Sequence, residues 1–160
     1  MRYNNLTSES IYLVCCPGVG LSNARAFLFL EFFERENCMS HIVTIEVEVR
    51  DLDAIKSACR RLDLKEPVHG KTTVFGTEIE GVLVELPDWI YPVVCLLDTG
   101  ELKYDNYNGA WGEEKHLHRF VQMYGVEKAA LEARRKGYSV VEQSLSDGSI
   151  KLTVNLGGAV

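Results

Sequence analysis

The chain has 160 residues, with 17 Lys and Arg against 23 Asp and Glu, a formal net charge of −6. This length favours one domain, and 46% apolar with 25% charged residues is ordinary for a soluble globular protein. The composition excludes a disordered chain, a fibrous repeat and a membrane bundle. The acidic balance disfavours a general nucleic-acid binder, because neutralising phosphates requires clustered Lys and Arg. We therefore expect a protein that binds neither a membrane nor nucleic acid.

The first 38 residues differ from the rest of the chain. An apolar run over residues 11–16 is followed by Pro17-Gly18, and a helix is predicted over residues 22–36. Its phenylalanines put apolar side chains on every face, so this helix has no place on the outside of a small domain. Residues 1–38 are thus an N-terminal extension, either non-native upstream sequence with Met39 as the true start or a loosely docked helix. We favour the first alternative.

The next two predicted elements are a strand and a helix. Residues 41–49 alternate apolar and polar side chains, as expected of a strand with one buried face. Asp51 then caps a helix that continues to Leu62 and carries an apolar stripe.

Four strands and a long helix follow. Strands are predicted over residues 71–75, 78–86, 91–97 and 102–104, and the third is continuously apolar, as in a central strand covered on both faces. After an irregular loop over residues 105–112, a helix spans residues 113–136. Lys128 interrupts the apolar stripe of this helix, and Gly137 ends it.

The last predicted element is a hairpin. Asp147-Gly148 as a two-residue type I′ turn would place Val141 opposite Val154. The predicted order is therefore β-α-β-β-β-β-α-β-β. We expect an α+β fold in which residues 39–160 form one domain, with a mostly antiparallel sheet of about six or seven strands and two helices packed on one face.

Neither the cysteines nor the histidines form a recognisable site. Five cysteines, two of them adjacent, fit neither a disulfide framework nor C-x-x-C zinc spacing. Cys59 and Cys95 lie in apolar contexts, where a thiol usually packs as a small hydrophobe. His116 and His118 are about 200° apart around a helix and cannot share a metal unless the helix starts later. We expect no metal, no cofactor and a reducing, cytoplasmic location.

No catalytic motif is present, since the chain has no H-E-x-x-H, no nucleotide fingerprint and no recognisable nucleophile arrangement. No catalytic residue is predicted, and an enzyme is not favoured. The densest polar and aromatic cluster lies in the loop before the long helix, with Asp105, Asn106, Tyr107 and Trp111. The adjoining helix N-terminus presents backbone N–H groups that can hold an anion or a carboxylate.

Two interpretations of this loop stay open. Its residues could form a recognition patch for a partner or a small ligand. Alternatively, Trp111 fills the gap between sheet and helix while Asp105 and Asn106 satisfy the backbone of the turn. Trp89 is expected to pack at an edge.

Several short motifs follow one another over about residues 39–160. They are Met39-Ser40-His41, Val49-Arg50-Asp51-Leu52, Trp111-Gly112, Phe120, Tyr124, Gly137-Tyr138 and Asp147-Gly148-Ser149-Ile150-Lys151-Leu152. In their order and spacing the chain resembles the family of domain of unknown function twelve fifty-seven, also called the hypothetical chloroplast reading frame thirty-five family. Members usually begin at the position of Met39, have no agreed catalytic residues, and in bacteria are often encoded beside AAA-type ATPases.

The resemblance implies a small cytoplasmic accessory protein. We expect a non-enzymatic adaptor or regulatory module that binds a protein partner such as an AAA-type ATPase. The alternative is a small-molecule or anion-binding domain, with or without enzymatic activity, that uses the loop before the long helix.

Overall fold

The computed structural model describes residues 10–15, 48–74, 76–106 and 109–155, of which residues 10–15 are described as backbone only. These ranges contain two helices and seven strands. In chain order they are β1 (Ser10–Cys15), α1 (Leu52–Arg61), β2 (Val68–Val74), β3 (Thr77–Val84), β4 (Val93–Leu96), β5 (Glu101–Lys103), α2 (Glu114–Arg135), β6 (Ser139–Ser144) and β7 (Ile150–Asn155). The predicted α+β class is confirmed. Neither helix in these ranges has the length and apolarity needed to cross a membrane.

The strands form two antiparallel sheets, so the predicted single sheet of six or seven strands is wrong. One sheet has the order β2-β3-β4-β5 and the other the order β1-β7-β6. The alternation of side chains along a strand indicates which face is buried but not which edges pair. Between β5 and β6 the chain passes through α2, and the β6–β7 hairpin then pairs with β1 rather than with β5.

Both helices contribute to one buried core with a single face of the four-stranded sheet. On that face Val82 lies opposite Cys95, and Val84 lies opposite Val93. These four side chains are at most 2% exposed. The helices add the following buried side chains to the same cluster: Ile55 and Cys59 from α1, and Leu117, Phe120 and Tyr124 from α2.

The start of α1 is the one that the sequence predicts. The Asp51 side chain accepts hydrogen bonds from the backbone N–H groups of Asp53 and Ala54, at 2.9 and 3.1 Å. The preceding backbone is held by Tyr124, whose hydroxyl accepts from the N–H groups of Arg50 and Asp51 and donates to the Glu48 carbonyl, at 3.0 to 3.1 Å. A buried α2 side chain thus fixes the segment that leads into α1.

The segment before α1 differs from the predicted strand over residues 41–49. Residues 41–47 lie outside the described part of the chain, and so does the predicted helix over residues 22–36. Glu48 and Val49 are described and lie in no strand, although the Val49 N–H donates to the Gly100 carbonyl at 2.9 Å. Strand β1 falls within residues 1–38 and pairs with β7. The proposed domain start at Met39 stays a prediction.

The final hairpin has a three-residue loop, Ser146-Asp147-Gly148, instead of the predicted two-residue turn. The Leu145 N–H donates to the Ser149 carbonyl at 2.8 Å, and the Gly148 N–H donates to the Leu145 carbonyl at 3.1 Å. Gly148 has a φ of +82°, the left-handed conformation typical of the last residue in such a loop.

This loop shifts the register of the hairpin by one residue. Val140, not Val141, lies opposite Val154. A shift of one residue moves every side chain to the other face of a strand. Val141 is accordingly 56% exposed, whereas Val140 packs against the core. The predicted pairing of Val141 with Val154 is wrong because it depended on the turn length.

Lys128, which interrupts the apolar stripe of α2, joins the two helices. Its ammonium lies 2.9 Å from an Asp51 carboxylate oxygen and 2.8 Å from one of Glu132. Burial alone would raise the pKa of the Asp51 carboxyl, but hydrogen bonds from Lys128 and the Ala54 N–H outweigh it, so this pKa lies below its ordinary value. The lysine that interrupts the apolar stripe of α2 therefore forms an ion pair with the N-cap residue of α1.

Candidate functional site

The candidate site lies where the segment between β3 and β4 meets the loop before α2. The two segments are joined through their backbones, because the Ile90 N–H donates to the Trp111 carbonyl at 3.0 Å. The loop itself is closed at Asn106, whose carbonyl accepts from the N–H groups of Gly109 and Trp111 at 3.0 and 2.9 Å. These bonds hold two irregular segments side by side.

Trp89 fixes this arrangement to the start of α2. Its ring packs against the core and makes an edge-to-face contact with Tyr104, with ring centroids 5.7 Å apart. The indole N–H donates to the Glu113 carbonyl at 3.1 Å. Gly112 is required here, because a Cβ at that position would lie 2.4 Å from the Trp89 ring. Trp89 therefore fills the gap between sheet and helix.

Trp111 occupies a different environment. It is partly exposed and does not belong to the core cluster, and its ring makes an edge-to-face contact with Tyr91 at a centroid distance of 5.3 Å. Tyr91 is 39% exposed and the adjacent Ile90 is 63% exposed. We refer to Ile90, Tyr91 and Trp111 as the aromatic surface. Tyr91 and Trp111 are thus in contact at the molecular surface, and the exposed Ile90 adjoins Tyr91 in the chain.

The other predicted site residues lie beside this surface. Asn106 is 8% exposed, and its side-chain amide donates to Glu114 at 3.4 Å, so it shapes the loop. Asp105 is partly exposed, and Tyr107 lies outside the described residues. The structure thus brings Trp111 and Asn106 together through the backbone and gives them different environments.

Ile90 was assigned to no predicted element, and Tyr91 was placed in the covered strand predicted over residues 91–97, so neither was identified as a site residue. Strand β4 begins only at Val93, after Pro92. Proline has no N–H to donate to a sheet ladder, so Pro92 was the feature that could have placed Tyr91 outside the strand.

Acidic residues lie close in the chain to the aromatic surface. Asp88, Glu113 and Glu114 are all exposed. Lys115 forms a salt bridge with Glu113, and a hydrogen bond from that ammonium holds the pKa of the Glu113 carboxyl below its ordinary value. Glu113 occupies the N-cap of α2 without making a side-chain capping bond. Acidic groups at this helix N-terminus disfavour a bound anion, because they repel negative charge.

The buried thiols show no feature of reactive groups. Cys59 and Cys95 are at most 1% exposed, and burial raises both thiol pKa values, that of Cys59 to about 11. In the described ranges, no group of three or more His, Cys, Asp or Glu side chains is placed to hold a metal ion.

A depression lies on the four-stranded sheet. It is an open groove of about 420 Å³, lined by Val74, Thr77, Ile79, Leu102, Lys103 and Tyr104. Among the described residues of this lining, most are apolar and Lys103 alone is charged. The groove therefore lacks the converging polar groups of a typical small-molecule site.

Comparisons of the chain with models of known protein families, with curated proteins and with solved structures found no match. The resemblance to the family of domain of unknown function twelve fifty-seven stays a prediction.

Proposed function

We propose that this chain is a small non-enzymatic adaptor or regulatory module that binds a protein partner through the aromatic surface. The observation that carries the proposal is the contrast between two neighbouring tryptophans. Trp89 packs against the core, while Trp111 lies outside it against the exposed Tyr91. Apolar side chains that contact one another at the surface are characteristic of interaction sites, and this supports the proposal.

The backbone hydrogen bonds that hold the aromatic surface in place support the same function. Backbone hydrogen bonds from Ile90 and Trp111 fix the two segments, so the rings do not have to be ordered when a partner binds. A preorganised surface loses less conformational entropy on association. Tryptophan and tyrosine are also the side chains that most often dominate the energy of an interface.

The family resemblance names the kind of partner. In the family that the chain resembles, the genes often lie beside genes for AAA-type ATPases. We therefore propose such an ATPase as the partner. The alternative function, a small-molecule or anion-binding domain at the same loop, has less support, because Glu113 and Glu114 occupy the helix N-terminus that an anion would need.

Affinity capture of the tagged full-length chain from its source cells tests the proposal. The variants are Tyr91→Ala and Trp111→Ala, and the matched control is Val68→Ala, which truncates a side chain that is 60% exposed on β2. Truncating an interface aromatic costs about 2 kcal/mol of binding, equivalent to about 30-fold in affinity. We expect a protein retained by the wild type and by Val68→Ala to be lost with both aromatic variants.

Thermal unfolding of each purified variant accompanies the capture, because loss of a partner is informative only if the fold is intact. Equal retention by the wild type, Tyr91→Ala and Trp111→Ala would rule out the aromatic surface as the docking site. Loss with Val68→Ala as well would place the interface elsewhere or show that it is not specific.

A further inference from the structure

The charges around the aromatic surface are unbalanced. We refer to Asp88, Glu113 and Glu114 as the acidic rim. Asp88 precedes Trp89, whose indole N–H bonds to the Glu113 carbonyl, and Glu114 accepts from the Asn106 amide beside Trp111. Three exposed carboxylates therefore lie in the segments that carry or adjoin the surface, and among the described residues the one salt bridge to them is that of Lys115 with Glu113. The chain as a whole has a net charge of −6, so its long-range field has the same sign.

We propose that the partner segment that docks on the aromatic surface is apolar at its centre and flanked by Lys or Arg. This inference rests on the proposed function and adds the chemistry of the partner. Apolar side chains of the segment cover Ile90, Tyr91 and Trp111, and its cationic flanks face the acidic rim. Complementary charge speeds the encounter, and like charge rejects acidic segments.

The apolar contact and the electrostatic attraction contribute to binding in ways that differ in their dependence on salt. The aromatic surface carries no formal charge, so its contact with an apolar segment is insensitive to salt. The acidic rim is exposed, so its attraction is screened over about 10 Å at 0.1 M salt. Affinity for a basic apolar segment therefore falls as salt rises, whereas affinity for a neutral apolar segment does not.

The test uses two synthetic peptides with the same Leu and Phe centre, one flanked by lysines and the other by glutamates. Each is titrated into the full-length chain at low and at high salt, and binding is followed by the NMR signals of the two indole N–H groups. We expect the lysine-flanked peptide to bind at least tenfold more tightly at low salt, with the difference shrinking at high salt.

Charge variants connect this preference to the rim. In Asp88→Asn/Glu113→Gln, two carboxylates are removed without loss of a capping bond, and Asn tolerates the φ of +61° at position 88. The matched control is Glu78→Gln/Glu80→Gln, which removes two carboxylates from β3. We expect the preference to fall at least fivefold in the first variant and to persist in the control.

Equal binding of the two peptides, a preference for the glutamate-flanked one, no binding of either, or a preference that survives Asp88→Asn/Glu113→Gln would overturn this inference. Trp111→Ala separates its failure from that of the proposed function. Equal binding that Trp111→Ala weakens leaves the docking surface standing and removes only the basic character of the partner. Binding that Trp111→Ala leaves unchanged contradicts the proposed function itself.

Discussion

Replacing Tyr124 by Phe removes one hydroxyl from the buried centre of the structure. This hydroxyl makes three hydrogen bonds, two from the backbone N–H groups of Arg50 and Asp51 and one to the Glu48 carbonyl. Tyr124 is 0% exposed, and Phe fills nearly the same volume. The substitution therefore isolates the hydrogen bonds from the packing.

The expected loss follows from the number of bonds. Each hydrogen bond contributes about 1 kcal/mol net, and the three together contribute about 3 kcal/mol. For a chain of this size, a loss of 1 kcal/mol lowers the melting temperature by about 3 °C, so we expect a decrease of about 9 °C. The segment before α1 loses its attachment to α2, so the amides of Arg50 and Asp51 should also exchange faster.

Thermal unfolding, urea unfolding and amide exchange of the full-length chain measure the melting temperature, the free energy of unfolding and the release of the segment before α1. Tyr91→Phe is the matched control, because it removes a hydroxyl from a ring that is 39% exposed, and it should change stability by less than about 0.5 kcal/mol. If Tyr124→Phe cost no more than Tyr91→Phe, the claim that this hydroxyl holds the segment to α2 would be wrong.

Three further predictions concern the charges, the register and the thiols. Asp51→Asn keeps a capping side chain but loses the ion pair with Lys128, which should cost about 1–2 kcal/mol at pH 7. The folded pKa of Asp51 lies below the unfolded value of about 3.9, so its contribution is complete above that pH and is lost as pH falls through the folded pKa. Urea midpoints of Asp51→Asn and the wild type should therefore converge in acid, and a constant difference would refute the assignment. Val140→Ala should cost about 1–2 kcal/mol and Val141→Ala less than about 0.5 kcal/mol by the same assay, while the reverse order would restore the register predicted from the sequence. At pH 8 an alkylating reagent should label Cys59 and Cys95 only after urea is added, as peptide mapping would reveal, and rapid labelling of the native chain would contradict their burial.

The features that sequence analysis predicted correctly depend on neighbouring residues. Asp51 caps α1 because its own side chain reaches the next N–H groups, and α2 ends at Arg135, just before Gly137, which has a φ of +79°. A residue's helix-capping chemistry is present in the local sequence whatever the rest of the fold does.

The features that could not be predicted from the sequence depend on contacts with distant segments or on a strand register that shifted by one residue. Nothing in the local sequence of β6 and β7 indicates that β1 pairs with the free edge of β7. One additional loop residue exchanged the environments of Val140 and Val141. The different environments of Trp89 and Trp111 likewise depend on contacts between segments separated along the chain. Both tryptophans adjoin turns, and the sequence pattern does not distinguish the one that packs inward.

Hydroxyl-radical footprinting of the captured complex tests the central claim most directly. The free chain and the complex are each exposed to hydroxyl radicals. The extent of oxidation at Tyr91 and Trp111 in the two states is then compared by quantifying the modified peptides by mass spectrometry. We expect both side chains to become strongly protected in the complex, while exposed side chains on β2, such as Val68, react equally in both states. Unchanged oxidation of Tyr91 and Trp111, with protection at another surface, would contradict the assignment of the aromatic surface as the docking site.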